Sequence, residues 1–316
     1  MAWNDRSVLV TGGCGFIGYN LVSMLVEAGA RVRVLDNLSV GSRQVLKGLQ
    51  GDVELIEADI RDLEPLSEAC RNVEVVFHLA AQPGVIPSIE DPETDFRINA
   101  GGACNALMAA QRQGVHSFVF ASSNAVVGEF TPGLDETVTP RPLSPYGASK
   151  MAGEAYCSAF AGAYGMRTAS LRFANAYGPN SGQKQSAIAR FIRRILNGEH
   201  LVIYGDGSQI RDFVHVEDLC RAMLLAAEHS PAGEVLHVAS GQETTVLELV
   251  RLLSEVAGRE VPVVHEPRRE GEAFCIAPSV EKAKRLLGFE AQVPLADGLA
   301  ATYAWFQSRA QSEVAR

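Results

Sequence analysis

The stretch SPYGASK sets Tyr146 and Lys150 at positions i and i+4. A helix beginning near Pro145 carries both on one face. A phenol, with an ordinary pKa near 10, is a poor base at neutral pH. An ammonium one helical turn away favours the phenolate and turns the pair into a proton acceptor and donor. Upstream, FVFASSNAVVG closes a strand-like run on Ser122 and Ser123. A hydroxyl at that strand end can share the hydrogen bond to a substrate alcohol.

A second constellation lies at the other end of the chain. In SVLVTGGCGFIGYNL an apolar run meets Gly12-x-x-Gly15-x-x-Gly18, and an apolar stretch follows. A strand, a glycine turn and a helix hold a dinucleotide pyrophosphate: the glycines allow a tight turn, close approach of phosphate and close helix–strand packing. Free N–H groups at the helix start bind the anion without a cationic side chain. The next strand, RVRVLD, ends at Asp36, 18 residues past Gly18. A carboxylate there accepts the adenosine ribose hydroxyls and repels a 2′-phosphate, which favours NAD over NADP; Arg43 nearby tempers that preference. Asp59 and Ile60, just past the third strand in EADIRD, are candidates for the adenine, one for its amino group and the other for its ring. The positive nicotinamide ring would add to the pull of Lys150 on the Tyr146 proton.

Positioning these groups takes alternating elements. SVLVT, RVRVLD, VELIEAD, EVVFHLA, SFVFAS and RTASLRF read as strands. Helical patterns fill Phe16–Ala28, Leu63–Cys70, Pro92–Gln113 and Pro145–Tyr164. Strand alternating with helix predicts right-handed crossovers and a parallel sheet covered on both faces. After Phe173 the texture changes. ANAYGPNSGQKQS reads as irregular, HLVIYG and EVLHVAS as strands, and 217–229, 244–257, 279–287 and 295–311 as helices, with Thr245 and Glu248 spaced as a capping box. The expected fold class is α/β, a Rossmann-type doubly wound parallel sheet with a smaller, mixed C-terminal substrate domain. Residues 1–174 would form the dinucleotide-binding domain, joined by about 213–240, and 175–316 the discontinuous substrate domain.

Composition bounds the rest. The 316 residues are 47% hydrophobic, with a net charge of −9, ordinary for a globular chain with a large core. An acidic balance argues against non-specific nucleic-acid binding and anionic membrane surfaces. Six scattered cysteines without a CxxC pair suggest neither a zinc site nor a disulfide scaffold, and no metal is expected. His78 and His215, each in an apolar run, read as structural. The N-terminus has no signal architecture and no run reaches membrane-span length, so a cytoplasmic protein is the expectation.

Together these motifs resemble the extended short-chain dehydrogenase/reductases, in particular the NAD-dependent sugar-nucleotide epimerase/dehydratase group. The resemblance spans nearly the whole chain, through TGGCGFIG, DNLS, ADIRD, HLAAQ, SSNAVVG, YGASK, LRFANAYGP, GDGSQIRDFVHVEDL and KRLLGF. It implies Tyr146 as base and acid, Lys150 as its partner and Ser123 as the assisting hydroxyl. It implies cofactor contacts from Phe16, Ile17, Asn37, Ala80 and Ala81, with Asn99 supporting the active-site helix or the cofactor. Asn175 and Arg211 match positions that contact a nucleotide diphosphate, where arginine grips in two-pronged fashion. Arg269 and Glu272 resemble the family's second arginine and its ribose carboxylate, and Val85 and Ser186 complete the implied substrate contacts. A homodimer through 92–113 and 145–164 is also implied.

Within that group the dehydratases resemble one another in an Asp-Glu pair after the strand-end hydroxyl; here Asn124 and Ala125 stand there, against 4,6-dehydration. Asp36 disfavours an NADPH-linked 4-ketoreductase. C4 epimerisation of a UDP-hexose is the remaining expectation, with UDP-glucuronate 4-epimerase or decarboxylase and 4-ketoreductase as alternatives. Ile86 stands where the uronate enzymes of the family carry an arginine, which favours a neutral hexose. Cys275 and Ile276, near the position that gates the C2 substituent, leave N-acetyl tolerance open, and Val127 replaces a common family tyrosine.

Overall fold

The computed structural model describes residues 3–129, 133–268 and 275–314. Its strands are Ser7–Thr11 (β1), Arg31–Asp36 (β2), Val53–Glu57 (β3), Val75–His78 (β4), Ser117–Ser123 (β5), Arg167–Phe173 (β6), Asn175–Tyr177 (β7), Leu201–Tyr204 (β8), Ile210–Arg211 (β9), Phe213–His215 (β10), Glu234–Val238 (β11), Thr244–Thr245 (β12), Val263–Glu266 (β13) and Cys275–Ile276 (β14). Its α-helices are Phe16–Glu27 (α1), Leu63–Ala69 (α2), Val85–Glu90 (α3), Pro92–Asp95 (α4), Gly102–Arg112 (α5), Pro145–Tyr164 (α6), Ala187–Leu196 (α7), Val216–His229 (α8), Val246–Ala257 (α9), Glu281–Leu287 (α10) and Leu295–Val314 (α11).

Among the described residues, seven strands pair in parallel in the order β11-β6-β5-β4-β1-β2-β3. The apolar runs are continuous because both faces are covered. Successive side chains alternate: Val8 and Val10 pack with Leu21 and Leu25 of α1 and Leu219 and Met223 of α8. Leu9, between them, packs with Leu66 of α2, Leu107 of α5 and Phe160 of α6. Each such burial contributes about 1.5–3 kcal/mol, so the sheet is a firm base for the loops at its carboxyl edge. The chain order reverses between β1 and β4, and the crevice outside the strand ends there is where such sheets take ligands. A third cluster lies under the C-terminal elements, with Phe191 and Ile192 of α7, Leu201 of β8, Leu253 of α9 and Leu299 of α11.

Three local expectations change. The helix expected over 92–113 is broken into α4, a π-helical stretch Phe96–Gly101 and α5. The segment after Phe173 is not wholly irregular, for β7 pairs in parallel with β10. Helix α7, not anticipated, buries Ile188, Phe191, Ile192 and Ile195 at helical spacing. Thr245 does cap α9, accepting from the Glu248 N–H at 3.1 Å. No described helix is long and apolar enough to cross a membrane.

Candidate active site

Helix α6 starts cleanly. The Ser144 hydroxyl accepts from the Gly147 N–H at 3.2 Å, Pro145 fills the first turn, and Gly165 ends the helix at φ 65°. Two of its residues have no room for a side chain. A Cβ on Gly147 would strike the Ala125 carbonyl, and one on Gly153 the Phe120 ring. The helix therefore lies directly against the end of β5, bringing Tyr146 and Lys150 to Ser123.

Ser123 lies close enough to Tyr146 for its hydroxyl to favour the phenolate, and the Ser123 oxygen accepts from the Ala125 N–H at 3.2 Å. The Tyr146 ring is half-buried, but its hydroxyl is deep enough that burial pushes its pKa up to about 12. The Asp95 charge adds to that rise and the Ser123 hydroxyl opposes it. Burial thus outweighs the ammonium invoked from sequence, and without a further positive charge the phenol keeps its proton. Lys150 is buried and donates to the Ala121 carbonyl at 2.8 Å. Its nitrogen sits 4.9 Å from the Phe120 ring centre and 5.9 Å from that of Tyr146. Burial lowers its pKa to about 8, against the opposing charges of Asp95 and Glu154. At neutral pH the pair is a neutral phenol and an ammonium.

A buried network that the sequence reading missed supports this face. Glu154, one turn past Lys150, takes Arg172 of β6 in two bonds of 2.9 and 2.8 Å and accepts the Ser122 hydroxyl at 2.6 Å. Of the two strand-end serines, Ser122 is thus spent on structure and Ser123 faces Tyr146. Asn124 is likewise committed inward, its side-chain oxygen 2.9 Å from His237 Nδ1. Asn99, in the π-helical stretch, receives the Gln82 N–H at 2.9 Å and donates to the Gln82 carbonyl at 3.0 Å, clamping the segment that carries Ala80 and Ala81.

The glycine turn is equally tight. Gly12 adopts φ 71°, and a Cβ there would come within 2.7 Å of the Ala80 nitrogen. A Cβ on Gly18 would overlap the Gly12 carbonyl. Gly15 caps α1 without a side chain, which leaves the N–H groups of Phe16, Ile17 and Gly18 pointing out of the helix start. The Thr11 hydroxyl fixes the opposite wall, bonding the Ala80 N–H at 3.2 Å and His78 Nδ1 at 2.9 Å. His78 lies between Phe118 and Phe120, and burial lowers its pKa to about 3, so it is a neutral core residue. His215 caps α8. Asp36 accepts the Cys14 N–H at 2.9 Å and the Leu38 N–H at 2.8 Å. Arg43 pairs with Glu57 at the surface. Both Asp59 oxygens are taken by the Arg61 side chain, with the Arg61 backbone and Asn37 side-chain N–H groups each adding a bond at 2.9 Å, and these bonds hold its carboxyl well below the usual range. Ile60 is buried against Gly102.

On the other wall, Asn175 donates to the Asp212 carbonyl at 3.0 Å, and Arg211 lies in register with Ile276 of β14. The Asp212 carboxylate takes the Ser240 and Gly241 N–H groups and the Ser240 hydroxyl. Ser186 caps α7 with no side-chain bond. Val85 opens α3 and is partly exposed, Ile86 is exposed, and Val127 is buried. Arg269 and Glu272 lie outside the described residues. A cation that sequence spacing did not reveal is Lys184. It donates to the Ala176 carbonyl at 2.6 Å and lies 5.2 Å from the Phe16 ring, while Asn20 of α1 donates to the Pro179 carbonyl and accepts from Asn180.

Residues 8–239 match the family model described as the NAD dependent epimerase/dehydratase family. A UDP-glucose 4-epimerase of Mycolicibacterium smegmatis is 34% identical over 311 residues, covering 96% of this chain and 99% of its own. The crystal structure of UDP-glucose 4-epimerase with UDP-glucose from Thermotoga maritima has a TM-score of 0.91 at 38% identity, covering 96% of this chain and 100% of that one. The Thermus thermophilus UDP-glucose 4-epimerase complex with NAD has a TM-score of 0.88 at 36% identity, over 96% and 99% of the two chains. With the glycine turn, the tyrosine–lysine helix and the strand-end serine in one crevice, the chain belongs to the NAD dependent epimerase/dehydratase family.

Proposed function

We propose that the protein catalyses NAD-dependent C4 epimerisation of a UDP-hexose, interconverting UDP-glucose and UDP-galactose or their N-acetylated forms through a transient 4-keto sugar. The observation that carries this reading is Tyr146 beside Ser123 and one turn from the buried Lys150 ammonium, with the inward-turned Asn124 and Ala125 in place of a dehydrating acid and base.

The glycine turn fits NAD, because Gly15 caps α1 without a side-chain bond and leaves the N–H groups of the helix start free to take a pyrophosphate. Gly12, Gly15, Phe16, Ile17 and Gly18 would hold its pyrophosphate, Asp36 and Asn37 its ribose side, Asp59 and Ile60 its adenine end, and Ala80, Ala81 and Asn99 the middle wall. Bound there, NAD supplies the two-electron oxidising power and a positive ring. That charge, with Lys150, offsets the burial that otherwise keeps Tyr146 protonated. Tyr146 takes the proton of the sugar 4-hydroxyl and returns it after the sugar has turned, while Ser123 steadies the same oxygen. Lys150 keeps the positive charge beside Tyr146. Asn175, Ser186, Arg211, Arg269, Glu272 and Val85 grip the nucleotide end, so binding energy comes from a part that does not react. Residues 1–174 with about 213–240 serve the cofactor, and the rest of 175–316 serves the sugar nucleotide. Phe96, Met151, Tyr156 and Tyr164 are exposed along the 92–113 and 145–164 helices, which supports a homodimer through them. The free cysteines accord with a cytoplasmic enzyme.

Incubated with UDP-galactose and no added cofactor, the purified protein is expected to form UDP-glucose. No epimer from UDP-hexoses, UDP-N-acetylhexosamines or UDP-uronates would defeat the assignment, and net NADH or carbon dioxide would redirect it to an oxidoreductase or decarboxylase. Asp36→Ala tests the cofactor side. Losing charged hydrogen bonds, each worth about 1.5–3 kcal/mol, should weaken NAD by about 10- to 100-fold and narrow its advantage over NADP. Calorimetric titration with both dinucleotides reads this, and unchanged selectivity would remove Asp36 from the site.

A further inference from the structure

Asp95 ends α4, just before the π-helical stretch, and is 1% exposed. One of its oxygens accepts from Asn99 Nδ2 at 2.7 Å. The other is buried without a hydrogen-bond partner among the described residues. A buried carboxylate left so bare is unfavourable unless a cation faces it. The 92–101 stretch packs along α6, and the ionisable groups that α6 carries there are Tyr146, Lys150 and Glu154. The Glu154 charge is already matched by Arg172 in two bonds. His78 of β4 is neutral and bonded to Thr11. On the stretch's own side, Arg97 pairs with Glu93 at the surface, Asp91 caps the Thr94 N–H, and Glu90 of α3 is exposed. Lys150 is the cation that remains.

We propose that Asp95 is a positioning residue with two outputs: it is the buried counter-charge of the Lys150 ammonium, and through Asn99 it anchors the Gln82 backbone along the cofactor wall. The charge of Asp95 raises the proton affinity of both Lys150 and Tyr146. It keeps the lysine charged in a site whose burial works to discharge it. It also makes the tyrosine hold its proton until an oxidised cofactor and a sugar are in place. The consequence for turnover rests on the epimerase reading of the same site.

The test is an NMR titration of ε-carbon-labelled lysine in the full-length protein, comparing wild type with Asp95→Asn. Lys184, also lowered by burial to about 8, is told apart in a Lys184→Arg background. Removing an opposing buried charge is expected to drop the Lys150 midpoint by about one unit, a tenfold loss of proton affinity. In the active enzyme, the acid limb of kcat (Tyr146) and the alkaline limb (Lys150) should then both move to lower pH. A merely structural role would lower the rate without moving either limb. Asn99→Ala keeps the charge, so it should leave the Lys150 midpoint in place while weakening NAD retention. If Asp95→Asn does not fold, Asp95→Ser reads the same midpoint. An unmoved Lys150 midpoint in a folded Asp95 variant overturns the proposal. The titration needs no sugar, so a shifted midpoint in a protein inactive on every UDP-sugar would instead sink the epimerase reading alone.

Discussion

Tyr146→Phe is expected to lower kcat for epimerisation by about 10³-fold, within the usual contribution of a positioned acid–base group, while NAD remains bound. The substitution removes one oxygen from a half-buried ring and leaves α6 intact, since the cap at Ser144 and the close seating of Gly147 and Gly153 do not involve it. The Lys150 bond to the Ala121 carbonyl is also untouched. What is lost, on the proposed mechanism, is the atom that would take the proton from the sugar 4-hydroxyl and give it back. KM should change little, because the nucleotide end supplies the affinity. Steady-state assays on UDP-galactose, with cofactor content measured on the same sample, check both halves. Near wild-type turnover would show that another group moves the proton.

Arg172→Met should cost about 3–5 kcal/mol of folding stability, the range seen when one partner of a buried ion pair is removed. The Arg172 and Glu154 side chains are 4% and 6% exposed. In the variant, Glu154 would keep the Ser122 hydroxyl but lose the guanidinium that takes it in two bonds. Its charge would then have to be borne by a site that already holds Asp95. Pairing Arg172→Met with Glu154→Leu removes both charges and should recover much of the loss, so the two substitutions will be strongly non-additive. Urea denaturation at matched NAD content reads this, since bound cofactor adds its own stabilisation. Additive losses would mean that the pair contributes through packing rather than charge.

The parts of this molecule that depend on local repetition were open to reading from sequence. The strands of the parallel sheet show as apolar runs because burial on both faces demands them, and Tyr146 and Lys150 show as a pair because a helix imposes their spacing. Other parts arise only when distant segments meet. Glu154 and Arg172 lie in different elements, and no periodicity links them. Asp59 shows in the sequence as a carboxylate just past the third strand, but not the two-pronged hold of Arg61 upon it. Helical patterning across 92–113 could not show where the turn widens, though that widening is where Asn99 meets Gln82. Two-residue strands such as Ile210–Arg211 have no pattern to find. Helix α7 is different: Ile188, Phe191, Ile192 and Ile195 after Ser186 carry the signal, which the polar segment before them obscured.

The bonds from Asn20 to Pro179 and Asn180, with Lys184 poised over Phe16, stitch one jaw of the crevice to the other. On the proposed reading, a dinucleotide bound at the glycine turn would lie beside this stitching, which would slow its escape. An enzyme that restores its oxidant at the end of every cycle would have no need to let it go, and these contacts would supply such a fastening from the chain itself.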